Sequence, residues 1–137
     1  MMSETYASSG KNALVVEDHQ QSAELLKMIL ELEDWRVECV ETGSEALRVL
    51  TEHSTSEAMS FDPDVMILDL RLPDMRGAEL IERLRERQAK IPPTVILSAD
   101  SAVALSETAS KTGLTVVRKP FEFEELFSAI ANALTVA

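Results

Sequence analysis

Four places in this chain carry residues able to do phosphate or metal chemistry, and all four share one setting. Glu17-Asp18, Asp69, Ser98 and Lys119 each stand at or just beyond the end of a short apolar run, at 13–16, 65–68, 95–97 and 114–117. Three carboxylates held within a few ångströms repel one another, and each raises the others' pKa. A hard divalent cation relieves that repulsion. An oxygen-only set suits Mg2+, which keeps several waters and takes one or two carboxylates alongside phosphate oxygens. On this reading Asp18 and Asp69 bind the ion directly, Glu17 acts through a water, and the main-chain carbonyl of Arg71 completes the octahedron. Asp69, beside the metal, can attack phosphorus and become an acyl phosphate, as carboxylate nucleophiles do. The equatorial oxygens of the transferring group then need their charge neutralised. Lys119 offers an ammonium and Ser98 a hydroxyl donor. The parts of a phosphoryl-transfer site are present without a nucleotide-binding loop.

The elements that position these residues can be read from the pattern around them. The four runs are short, continuous and rich in β-branched residues, as expected of strands buried on both faces. A weaker alternating segment, 35–40, predicts an edge strand with one wetter face. Helical patterns fill the intervals. One follows Ser22 with Leu25, Leu26, Met28, Ile29 and Leu32. A second opens on Thr42 and Glu45, spaced as a capping box, ahead of Ala46, Leu47, Val49 and Leu50. A third carries Ala78, Leu80, Ile81 and Leu84, and a fourth, 101–111, is weakly amphipathic. The last has Pro120 at its start and a core stripe of Phe123, Phe127, Ile130 and Leu134. A strand–helix unit repeated five times predicts an α/β domain, a single parallel sheet with helices on both faces. Ligands of such sheets bind beyond the carboxyl ends of the strands, where strand order reverses, and the reactive residues lie at those ends.

Composition narrows the function classes. The chain has 137 residues, the size of one domain. Residues 1–10 are rich in Ser, Thr and Ala and read as a flexible tail, leaving 11–137 as the domain. With 13 basic against 24 acidic residues the formal charge is −11, which opposes direct binding to nucleic acid or anionic lipid. The single cysteine, Cys39, can form neither an internal disulfide nor a cysteine zinc site, and reads as a packed strand residue. No apolar run approaches the roughly 18 residues of a membrane span. The N-terminus has no apolar signal region, so a cytoplasmic location is the default. The initiating Met and the tail point to a stand-alone protein or the N-terminal part of one.

Four segments together, Val15-Val16-Glu17-Asp18, the run from Val65 through Asp69-Leu70-Arg71-Leu72-Pro73-Asp74 to Gly77, Ile96-Leu97-Ser98-Ala99 and Lys119-Pro120-Phe121, carry a family resemblance. The chain resembles, over roughly 12–134, the receiver domain of two-component response regulators. The resemblance implies a flavodoxin-like, doubly wound five-stranded sheet in the order 2-1-3-4-5. It implies that Asp69 is the phosphoacceptor, that Glu17 and Asp18 form the Mg2+ pocket, that Ser98 is the switch hydroxyl and that Lys119 contacts the phosphoryl group. A cis peptide before Pro120 is usual in the family. The implied partners are a sensor histidine kinase or phosphotransfer protein and a downstream protein, with no direct nucleic acid contact, no membrane insertion, and room for a weak homodimer. The domain would be no enzyme beyond its own phosphorylation and dephosphorylation. One departure stands out: family members commonly carry Tyr or Phe three residues before the lysine, where this chain has Val116. A valine cannot signal by a ring flip, so the hydroxyl half of the switch is left to act alone.

Each residue also has a plainer reading. An Asp or Ser ending a strand is by itself a loop or helix cap. Glu17 alone is a solvated charge, and Lys119 alone a surface lysine. Arg71 and Asp100 either flank the mouth of the site or are surface charges. His19 reads as an exposed loop histidine, and His53, in the polar stretch 51–60, as loop. Three competing functions share parts of this pattern. A Mg2+-dependent aspartyl phosphatase of the haloacid dehalogenase type needs an acid two residues after the nucleophile, where Arg71 stands. A flavodoxin-like electron carrier needs a phosphate loop after the first strand, where Glu17-Asp18 would repel phosphate. A pseudo-receiver that binds partners without phosphorylation is the third alternative.

Overall fold

The runs at 13–16, 65–68 and 95–97 lie buried on both faces inside a parallel sheet, whereas the run at 114–117 lies at the sheet edge and is mostly half-buried. The structure, a computed structural model, describes residues 11–52 and 62–136. Among them, strands and helices alternate as β1 (Asn12–Val16), α1 (Gln20–Leu32), β2 (Arg36–Val40), α2 (Gly43–Glu52), β3 (Val65–Asp69), α3 (Gly77–Glu86), β4 (Thr94–Ser98), α4 (Ala102–Thr112), β5 (Thr115–Arg118) and α5 (Phe123–Val136). The five strands form one parallel sheet in the order β2-β1-β3-β4-β5. The sheet direction of winding reverses between β1 and β3, so their carboxyl ends flank the crevice where a ligand of such a sheet binds. The tail expected at 1–10 and the loop residue His53 lie outside the described residues.

Strand alternation divides the core in two. Ala13, Val15, Val65, Ile67, Val95 and Leu97 face α1 and α5, meeting Leu26, Leu30, Leu126 and Ile130. Leu14, Val16, Met66, Leu68 and Ile96 face the other way, onto Leu47, Leu50, Leu80, Ile81 and Leu84 of α2 and α3. Val116 packs half-buried against this second cluster.

Some local expectations shift. Burial on α1 falls on Ala23, Leu26, Ile29 and Leu30, leaving Leu25, Met28 and Leu32 exposed. That helix is apolar over more than the width one sheet face can cover. Pro120 does not open the last helix. It follows a cis peptide, and α5 begins at Phe123, which is exposed. The buried stripe is Leu126, Ala129, Ile130 and Ala133, with Phe127 and Leu134 at its margin. An apolar excess on two sides of this helix left periodicity unable to choose between neighbouring stripes. Cys39 is exposed, not packed, because β2 is an edge strand. The polar stretch from Thr51 begins inside α2, where the Thr51 hydroxyl donates to the Leu47 carbonyl at 2.7 Å.

Candidate functional site

The acidic pair follows β1 directly. The Glu17 backbone N–H donates to the Val40 carbonyl at 3.0 Å, which carries the β1–β2 ladder one residue further and fixes Glu17 over the sheet end. Asp69 and Ser98 are the last residues of β3 and β4. The Lys119 N–H donates to the Ser98 carbonyl at 2.7 Å, so β5 delivers its lysine level with them. Helix α3 starts hard against the same backbone. A Cβ on Gly77 would sit 2.9 Å from the Asp69 carbonyl oxygen, so only glycine fits there.

These side chains converge in a largely buried setting. Glu17 is 2% exposed, Asp69 6% and Ser98 2%. Lys119 Nζ stands 3.2 Å from Glu17 Oε1 and 3.5 Å from Asp69 Oδ2, an ammonium shared by two buried carboxylates. Asp69 Oδ1 accepts from the Arg71 N–H at 3.1 Å. Ser98 Oγ accepts from the Asp100 N–H at 3.0 Å. Asp18 lies half-buried at the mouth, and its Oδ1 is buried with no hydrogen-bond partner among the described residues.

The carboxylates do not shift together as mutual repulsion alone would have them. Burial pushes the Asp69 carboxyl above its usual value, and the Glu17 charge adds to this, more than the Arg71 N–H and Lys119 bring it down. Burial pulls Glu17 up as well. There the His19 N–H and the Lys119 ammonium win, and Glu17 is held below its usual value. Each carboxylate accepts one backbone N–H at 3.1 Å, so the difference lies in Lys119, which stands nearer Glu17, and in the contact between the two carboxylates, which lowers Glu17 and raises Asp69.

One carboxylate or imidazole atom from each of Glu17, Asp18, His19 and Asp69 lies within 4.8 Å of the others. Asp18 Oδ1, buried without a hydrogen bond and 3.5 Å from His19 Nδ1, stands beside two further carboxylates, a set that fits a hard cation with oxygen ligands. His19 is 74% exposed, as a loop histidine would be, yet its Nδ1 reaches Glu17 Oε2 at 3.2 Å. The sequence reading did not attach it to the site. Its position directly after the acidic pair was the available signal.

Arg71 and Asp100 prove to be partners. Arg71 Nε and Nη2 donate to Asp100 Oδ1 at 3.0 and 2.8 Å, and Arg76 Nη2 stands 3.7 Å from Oδ2. Asp100 is 12% exposed in its side chain, so this is more than a solvated surface pair. It ties the loop after β3 to the loop after β4. Nothing in the spacing of these residues revealed the pairing.

A doubly wound parallel sheet with a carboxylate cluster, a hydroxyl and an ammonium at its switch point defines a phosphoacceptor-type signalling domain. The chain belongs to the response regulator receiver domain family, whose model matches residues 13–131. It is 34% identical over 122 residues to the transcriptional regulatory protein TrcR of Mycobacterium tuberculosis, covering 88% of this chain and 44% of that protein. It is 34% identical over 124 residues to the response regulator ArlR of Staphylococcus haemolyticus, covering 90% and 52%. The chain thus spans about half the length of these curated relatives. Among solved structures, it superimposes on the non-phosphorylated HemR receiver domain from Leptospira biflexa with a TM-score of 0.71 and 28% identity, covering 93% of this chain and 96% of that one. A response regulator receiver domain from Clostridium thermocellum gives a TM-score of 0.74 at 26% identity, covering 92% and 95%. The protein is therefore a receiver domain of the two-component type, a signalling module.

Proposed function

We propose that Asp69 is the phosphoacceptor of this receiver domain and that a histidine kinase or phosphotransfer protein supplies the phosphoryl group. The observation that carries this is the ammonium of Lys119 bridging Asp69 and Glu17 at 3.5 and 3.2 Å, at the switch point of the sheet. An Asp69 carboxylate oxygen forms a bond to phosphorus, and the phosphorus–nitrogen bond of the donor phosphohistidine breaks with its electron pair leaving on nitrogen. Lys119 is placed to neutralise a phosphoryl oxygen, and Ser98 to donate its hydroxyl after letting go of the Asp100 N–H. Asp18 and Asp69, the Arg71 carbonyl, and Glu17 through a water would hold Mg2+. That ion supplies charge neutralisation between the acceptor and the incoming phosphoryl oxygens.

The chain's own phosphorylation and dephosphorylation are the reactions this site supports. The downstream contact is with another protein, as the charge of −11 disfavours nucleic acid. No helix among the described residues is long and apolar enough to cross a membrane, in keeping with a cytoplasmic role.

Intact mass after incubation with Mg2+ and acetyl phosphate tests the assignment. One added phosphoryl group is expected on the parent, removable by hydroxylamine, and none on Asp69→Asn. Equal labelling of both proteins would exclude Asp69.

A further inference from the structure

The loop from Leu70 to Gly77 carries the Arg71 carbonyl, and its shape is set by contacts outside the reactive cluster. Arg71 and Arg76 face each other in an antiparallel bridge, the Leu72 N–H donates to the Met75 carbonyl at 3.1 Å, and the Gly77 N–H to the Leu70 carbonyl at 2.7 Å. This is a closed clip with Pro73 and Asp74 at its tip. On one flank Arg71 and Arg76 hold it to Asp100.

Asp74 holds the other flank. Its Oδ1 accepts from the Gly43 N–H at 2.9 Å, and its Oδ2 from the Ser44 N–H at 3.0 Å and the Ser44 hydroxyl at 2.8 Å. An exposed carboxylate is ordinarily satisfied by water, and here it is spent on an element 31 residues away. The free N–H groups at the start of α2 are thereby divided. Thr42 caps Glu45 at 3.0 Å through its own hydroxyl and Ala46 at 3.1 Å through its carbonyl, while Asp74 takes the first two from across the molecule. The join is close-packed as well. A Cβ on Gly43 would fall 2.5 Å from Met75 Sδ, so a larger residue there would displace the Met75 side chain that packs α2 against the clip.

We propose that Asp74 is a positioning residue for the phosphoryl site: by clamping the clip to the first turn of α2 it sets the Arg71 carbonyl and N–H against the cation and Asp69. This rests on the reading of the acidic cluster given above. Residues that orient metal ligands from outside commonly change metal affinity by about 10- to 100-fold when removed.

Thr42 provides the control. Its hydroxyl caps the same helix turn at Glu45, apart from the hydrogen bonds that Asp74 makes. Mg2+ affinity would be measured by titration calorimetry on the parent, Asp74→Ala, Asp74→Asn and Thr42→Ala, each checked for folding by circular dichroism. Asp74→Ala is expected to weaken Mg2+ about tenfold. Asp74→Asn, which keeps one acceptor oxygen, should fall between it and the parent. Thr42→Ala should melt lower yet bind Mg2+ within about twofold of the parent, because it leaves the Asp74 hydrogen bonds to Gly43 and Ser44 in place. Unchanged affinity in Asp74→Ala overturns the inference, as does an equal loss in Thr42→Ala, which would trace the effect to helix stability. No Mg2+ binding by the parent overturns the reading of the acidic cluster itself, and this inference with it.

Discussion

Glu17 and Asp69 are chemically alike and share one ammonium, yet the protein shifts them in opposite directions. Each accepts one backbone N–H at 3.1 Å, from His19 and from Arg71, but Lys119 stands nearer Glu17, at 3.2 Å against 3.5 Å, and the Glu17 charge faces Asp69. Asp69 is thus the less comfortable anion of the two. Stability follows from the sign. A folded-state pKa raised above 3.8 means the folded protein binds the proton more tightly, so this group's ionisation lowers stability as pH rises past that value. In Mg2+-free buffer Asp69→Asn should melt above the parent at pH 7, and the gap should close as pH falls toward 4. Melting curves over that pH range check it, and a variant melting below the parent at pH 7 would contradict the assignment of Asp69 as a strained anion.

The elements hold the site through their ends. Three helices finish on a residue in the left-handed region: Asp34 after α1 at φ 69°, Gln88 after α3 at φ 56°, and Gly113 after α4 at φ 71°. After α3, the Ala89 N–H returns to the Leu84 carbonyl at 3.0 Å and closes the terminus. Gln88 bears a Cβ penalty there that glycine lacks, about 1 kcal/mol. Gln88→Gly should therefore raise the melting temperature by roughly 3 °C, read by calorimetry. A fall would mean that the glutamine side chain contributes more than its backbone costs. At β5 the departure noted in the sequence persists: Val116 lies half-buried against the second core cluster, with no ring to move. The Ser98 hydroxyl is joined instead to the Asp100 N–H, and the Asp100 carboxylate to Arg71 and Arg76.

For the whole molecule, the buried Asp69 anion is a local cost of folding that a cation at the proposed site would relieve. Mg2+ that binds only the folded state at about 100 times its dissociation constant adds about 2.7 kcal/mol, a rise in melting temperature of roughly 8 °C for a domain of this size. Asp69→Asn should lose most of that rise. A scan with and without saturating Mg2+ checks both, and a parent that does not respond would speak against a metal site.

The strand and helix order, the parallel sheet and the residue types at the strand ends were legible because they are local. A continuous β-branched run stopping at Glu17, Asp69 or Ser98 reports its own burial and its own end. The four motifs then implied the family and, with it, the strand order later seen. Stripe choice on α1 and α5 failed where apolar residues exceed what one sheet face can cover, as at Leu25 and Phe123. The sequence by itself determined which groups stand at the carboxyl edge of the sheet. Only the tertiary structure decided which of them meet: Lys119 with Glu17 at a separation of 102 residues, Asp74 with Gly43 at 31, and Arg71 with Asp100 at 29. The physical reason is that periodicity fixes a side chain's direction within its own element, whereas hydrogen bonds between strand ends depend on crossovers that bring distant loops to one edge.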